Sequence, residues 1–93
     1  MDLVVKRLRI RGRVQGVWYR AWTAEQAQAL GLSGFVRNRK DGSVEAVLKG
    51  PTDAVQAMIV KCYDGPPMAD VSDIEAEEMQ AMVADGFRTL PTV

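Results

Sequence analysis

From Leu3 to Val14 the chain alternates, with Leu8, Ile10, Gly12 and Val14 on one side and Arg7, Arg9, Arg11 and Arg13 on the other. A period of two is that of a strand with one face on a core and one toward water. Four arginines turned to solvent on such a strand need no functional explanation. After a turn at Gly16, the stretch Arg20 to Leu30 is rich in Ala, Gln and Glu and predicts a helix, and Gly31 stands where a left-handed C-terminal cap belongs. Ala24, Ala27 and Leu30 form its predicted core side, with Trp22 off that face. Two short strands follow, Ser33 to Asn38 and Ser43 to Lys49, separated by Asp41–Gly42, a dipeptide suited to hairpin turns. Gly50–Pro51–Thr52–Asp53 is a helix-start pattern, and Val55, Met58, Ile59 and Cys62 then recur at helical spacing. Gly65–Pro66–Pro67 ends that helix. Val71 to Met79 predicts a fourth strand with Asp73, Glu75 and Glu77 on its exposed side. Phe87 to Thr92 predicts a short edge strand, a position where Pro91 is tolerable.

Strand–helix–strand–strand–helix–strand is the order of an α+β, ferredoxin-like βαββαβ sandwich. Its expected form is an antiparallel sheet of four to five strands with two helices on one face. The 93 residues suit one domain over residues 1–93 and are too few for two. No apolar run approaches the roughly 20 residues needed to span a bilayer. The start of the chain lacks the basic, apolar and small-residue succession of a secretory signal. Cys62 is the only cysteine, which rules out an internal disulfide and makes the cytoplasm the expected compartment. No apolar surface stripe calls for a second copy, so a monomer is expected.

Charge narrows the chemistry. Residues 1–50 hold ten Lys/Arg and four Asp/Glu, a balance of +6, whereas residues 51–93 hold two and eight, a balance of −6. A basic half beside an acidic one suits a small anionic ligand better than a long nucleic-acid backbone, although solvated faces of opposite sign give the same count. The sequence contains no histidine. The commonest general base, the Ser–His and Cys–His nucleophile pairs and most zinc sites are thereby removed. Glu75, Glu77 and Glu78 crowd one strand without a matching ligand elsewhere, and they read as a solvated face rather than a metal site. Cys62 sits on the apolar stripe of the second helix as a buried thiol.

The stretch Gly12–Arg13–Val14–Gln15–Gly16–Val17–Trp18–Tyr19–Arg20 joins a strand end to a helix start. A glycine-containing loop there can aim several backbone N–H groups at one point, and the helix N-terminus adds partial positive charge. Arg20 supplies a forked cation suited to two phosphate oxygens. The Gly–Lys–Ser/Thr ending of a Walker A loop is absent. An ordinary turn fits the same residues.

Gly12-x-Val14-Gln15-Gly16-Val17-x-Tyr19-Arg20 closely resembles the signature of the acylphosphatase family. A second family signature follows, Gly34–Phe35–Val36–Arg37–Asn38, then Gly42-x-Val44 and Gly50, with Gly65–Pro66–Pro67-x-Ala69-x-Val71 beyond it. The resemblance implies a metal-independent and cofactor-free hydrolase that converts a small acyl phosphate to a carboxylate and inorganic phosphate. It also implies that the amides of Gln15, Gly16, Val17, Trp18 and Tyr19, with Arg20, hold the phosphoryl group while Asn38 positions the attacking water. Arg37 and Lys40 flank Asn38 and suit either the attraction of an anion or a surface role. Trp18 occupies a variable position often filled by something smaller and is expected to narrow the mouth of the site. The Thr89–Leu90–Pro91–Thr92–Val93 end lacks the closing tyrosine of many members, which leaves the packing of the last strand open.

RNA-recognition domains share the strand order but need aromatics on the two central strands to stack bases, and these strands have none. An acylphosphatase-like domain that binds an anion or partner without turnover, or a piece of a larger maturation enzyme, is a further alternative. Intact Arg20 and Asn38 and the short chain weigh against it.

Overall fold

Alternation along the first strand decides where the core lies. In the computed structural model, which describes residues 2–93, β1 (Leu3–Arg13) buries Leu8 and Ile10 completely on one face. The chain continues as α1 (Tyr19–Ala29), β2 (Ser33–Asn38), β3 (Val44–Pro51), α2 (Thr52–Asp64), β4 (Asp70–Glu78) and β5 (Phe87–Thr89). The strands form one sheet in the order β4-β1-β3-β2-β5. Both helices cover the face that carries Leu8 and Ile10 of β1, Val36 of β2, and Val44, Ala46 and Leu48 of β3. Val55, Met58, Ile59 and Cys62 of α2 are buried as their spacing predicts. This is the ferredoxin-like α+β sandwich.

The sheet is mixed rather than wholly antiparallel. β1 pairs antiparallel with β3 and β4, and β2 antiparallel with β3, but β5 runs parallel to β2. Topology requires this. β4 lies at one edge and runs against β1, whereas β2 runs with β1. A chain that reverses after β4 and crosses to the opposite edge therefore arrives parallel to β2. The crossing segment passes over the outer face of the sheet, where Met79 and residues 81–84 border a cavity that Phe35 and Val47 also line. β5 ends at Thr89 rather than Thr92. The residues beyond still hold to β2 through Leu90 N–H to the Val36 carbonyl (2.9 Å) and Val93 N–H to the Asn38 carbonyl (3.1 Å).

α1 packs the expected Ala24, Ala27 and Leu30 against the core, and its buried face is wider than they define. Its buried row is Tyr19, Thr23 and Ala27, while Ala24 and Leu30 are only half-buried. The helix starts at Tyr19 instead of Arg20, and the large Tyr19 ring sets the inward direction. Trp22 is half-buried, its ring 5.5 Å from that of Tyr19.

The arginine side of β1 is not simply solvated. Because β4 is its neighbour, Arg7 pairs with Glu77, and Arg11 with Glu75 and, at 3.7 Å, with Asp73. Glu45 of β3, almost fully buried, accepts from Arg37 Nε at 2.7 Å and Arg39 Nη1 at 3.0 Å. Burial alone would raise the Glu45 carboxyl, yet the bonds from Arg37 and Arg39 outweigh it and hold the group below its ordinary value of 4.5. A depressed carboxyl contributes stability that is present above the unfolded-state value and lost as pH falls through the folded-state one. Glu45→Gln is therefore expected to cost roughly 1–2 kcal/mol at pH 7. The gap to wild type, read from thermal melts, is expected to shrink as pH drops below about 4.5. A gap that widened on acidification would contradict this account.

Candidate active site

The turn from β1 into α1 begins with a defect in the β1–β4 ladder. The register shifts between Arg11 and Gly12, a β-bulge. Gly12 has φ 122°, and a Cβ there would lie 2.3 Å from the Asp70 carbonyl oxygen. Only glycine fits so close to β4. The bulge ends the pairing and sends residues 14–18 across the sheet end, with Gly16 turning the backbone at φ 74°.

Two side chains anchor this loop. Tyr19 is buried beneath it and its hydroxyl donates to the Cys62 carbonyl, which fixes the start of α1 to α2. Gln15 reaches the other way: its Nε2 donates to the carbonyls of Arg39 and Ser43, both at 2.8 Å. One amide group thus fastens the loop to the β2–β3 hairpin. That hairpin is shaped by Asp41, whose Oδ1 accepts from Ser43 N–H at 2.9 Å and Ser43 Oγ at 2.6 Å. These bonds hold the Asp41 carboxyl below its ordinary range.

Between the loop and β2 lies an open cleft of about 400 Å3. Gly16, Trp18, Tyr19, Arg20 and Asn38 line it, together with Val14, Ala21 and Thr89. Arg20 is the only cation among them, and the lining contains no carboxylate. Among the described residues, no carboxylate pairs with Arg20, whereas Arg7, Arg9, Arg11, Arg37 and Arg39 all have acidic partners. No side chain caps α1, and its first turn carries no acid. No oxygen of the described residues accepts from the amides of residues 16–20. Their N–H groups are therefore left without an acceptor among the described residues beside the cleft, at the positive end of the α1 dipole.

Asn38 completes the constellation from β2. It shares the inward face with Val36, and its Oδ1 is buried without a hydrogen-bond partner among the described residues. A buried acceptor in that condition is one that a donor from water or ligand satisfies. Its backbone is fixed on both sides, by pairing with Val44 and by the bond from Val93.

The structure thus gathers Gly16, Trp18, Tyr19, Arg20 and Asn38 at one cleft. Gln15 and Val17 belong to the loop, but neither side chain lines the cleft; one clamps the hairpin and the other is buried in the core. Arg37 does not join the site. It alternates to the outer face, lies over the Phe35 ring at 5.2 Å and bonds Glu45. Lys40 is exposed beyond the strand end. Thr89 and Val14 were not signalled as site residues by the sequence. Thr89 reaches the cleft only because β5 pairs with β2 in a register that sets it opposite Val36. Cys62 is fully buried, and burial pushes its thiol up to about 12, so it takes no part in chemistry.

Comparisons with known proteins meet this geometry. The family model described as Acylphosphatase matches residues 6–89. An acylphosphatase of Rhizorhabdus wittichii is 53% identical over 92 residues, covering 99% of this chain and 93% of that protein. Among solved structures, an acylphosphatase from Coxiella burnetii superposes with a TM-score of 0.92 at 31% identity, over 96% of this chain and 94% of its own. The acylphosphatase of Bacillus subtilis gives 0.89 at 33%, over 96% and 99%.

Proposed function

This chain belongs to the acylphosphatase family and hydrolyses the carboxyl–phosphate bond of acyl phosphates, and we propose how its residues divide that work. The phosphoryl group sits in the cleft on the amides of Gln15 to Tyr19, with the Arg20 guanidinium forked onto two of its oxygens. Asn38 Oδ1 accepts a hydrogen bond from a water and holds it in line behind phosphorus. The observation that carries this reading is the pairing of uncompensated donors at residues 16–20 with a cleft whose sole charge is Arg20.

The reaction asks for little more. Water oxygen bonds to phosphorus while the bond from phosphorus to the acyl oxygen breaks, and its electron pair leaves with the carboxylate. A carboxylate of conjugate-acid pKa near ~4 departs without a general acid. The water proton passes to a phosphate oxygen, because Asn38 is too weak a base to take it. A loose phosphoryl transition state needs positioning and positive partial charge around its equatorial oxygens. Fixed amides and a planar guanidinium supply both without reorganising. No imidazole is required, in keeping with a sequence that has none.

We further propose that the protein works as a monomer in one domain over residues 1–93, in the cytoplasm, without metal or nucleic acid. The single buried thiol supports a reducing compartment. Among the described residues, no helix is long and apolar enough to cross a membrane. The outer face of the two central strands carries Arg7, Arg9, Glu45 and Val47, with no aromatic ring on which a base would stack.

The cradle is tested by titrating the protein with inorganic phosphate and following backbone amide resonances. The amides of Gln15 to Arg20 are expected to shift together with one dissociation constant, and those of β4 to stay still. Shifts confined to the arginines of the outer face would place the anion elsewhere.

A further inference from the structure

Trp18 stands at the lip of the cleft in a way its own backbone does not favour. It is 81% exposed, and it is the only non-glycine residue among those described with a left-handed φ, at 70°. It occupies the N-cap of α1 without making a cap hydrogen bond. Ser, Asp, Asn or Gly is the usual choice at an N-cap, and a bulky side chain at positive φ is strained. The indole contributes nothing to the core either. Fold stability therefore accounts neither for the residue type nor for its exposure.

The cleft does account for them. Its 400 Å3 or so exceed what a phosphoryl group fills, and the lining beside Arg20 and Asn38 is largely apolar, with Val14, Ala21 and the indole itself. Trp18 lines the cleft and is exposed at its lip, beside the proposed cradle, where the acyl half of a bound acyl phosphate would emerge. We propose that Trp18 is a specificity residue, a platform on which the acyl group packs, and that it selects acyl phosphates with a flat aromatic or bulky apolar acyl part over acetyl phosphate. This rests on the acyl phosphate reading of the cleft. An indole gains from a stacked ring both buried apolar area and favourable ring-to-ring geometry, whereas one methyl group covers little of it.

The test compares kcat/KM for benzoyl phosphate and acetyl phosphate in wild type, Trp18→Gly and Trp18→Phe, with the inhibition constant of inorganic phosphate measured for each. Glycine relaxes the left-handed turn, so that variant is expected to fold. The benzoyl-to-acetyl ratio is expected to fall about tenfold in Trp18→Gly and to be largely kept in Trp18→Phe. Any damage to the amide cradle appears equally in both substrates and in phosphate inhibition, and cancels in the ratio. An unchanged ratio in Trp18→Gly would overturn the platform while leaving the acyl phosphate reading intact. A folded wild type that hydrolyses neither substrate would overturn that reading, and the platform with it.

Discussion

Arg20→Ala is expected to lower kcat/KM for acyl phosphate hydrolysis by about 10³-fold or more while leaving the fold untouched. The first half follows from the inventory of charge in the cleft, where Arg20 is the only ionised group. Amides alone retain some affinity for phosphate, but the charge that spreads over the equatorial oxygens in the transition state loses its one full counter-charge. The second half follows from what Arg20 does not do. It is half-buried in the first turn of α1 and pairs with no carboxylate of the described residues, so truncation breaks no ion pair. Alanine is a better helix former, and the melting temperature is expected to hold within a few degrees. Arg20→Lys separates charge from shape: an ammonium keeps the charge but loses the fork, and activity between the other two is expected. Steady-state kinetics and thermal melts on all three proteins decide the matter. If Arg20→Ala keeps more than a tenth of wild-type activity, the guanidinium does not hold the reacting phosphoryl group.

How legible was this site in the chain? The elements were, because β1 and α2 bury one face each and their periods of two and 3.6 are clean. Asn38 and Arg20 were legible through the two signatures, and strand parity then places Asn38 on the helix side and Arg37 opposite. The charge map was not legible. With ten cations in residues 1–50 and eight acids in residues 51–93, the linear chain suggests a basic pole joined to an acidic one. The β4-β1 pairing, a contact between distant segments, lays Glu75 and Glu77 on Arg11 and Arg7 and cancels the poles in space. What remains at the cleft is one arginine chosen by geometry, not an excess of basic residues. Thr89 was illegible for a related reason. A three-residue strand without clear alternation carries no register, and only pairing with β2 sets it at the cleft. Gln15 enters the proposed cradle through its backbone amide, and the clamp its side chain makes on the hairpin is a second task the motif does not announce.

Asn38→Ala is expected to reduce kcat by about 10²–10³-fold with KM changed only a few-fold, and to leave phosphate inhibition as it was. The asymmetry with Arg20 comes from what each group touches. In the proposed arrangement Arg20 meets the phosphoryl oxygens in both ground and transition states, so its loss is expected to raise KM as well as to lower kcat. Asn38 in the same proposal meets the nucleophile, and its hydrogen bond would matter most when water is moving onto phosphorus. Stability gives a second, independent reading. Oδ1 is buried and unpartnered within the described residues, so removing it breaks no bond to them. The backbone bonds of residue 38 to Val44 and Val93 do not need its side chain. Asn38→Ala is therefore expected to melt at or slightly above the wild-type temperature while losing most activity. Asn38→Asp offers an acceptor of nearly the same shape with a negative charge beside the phosphoryl site, and KM is expected to rise through repulsion. A raised KM with kcat intact in Asn38→Ala would assign the residue to phosphate binding, and the water would then need another holder.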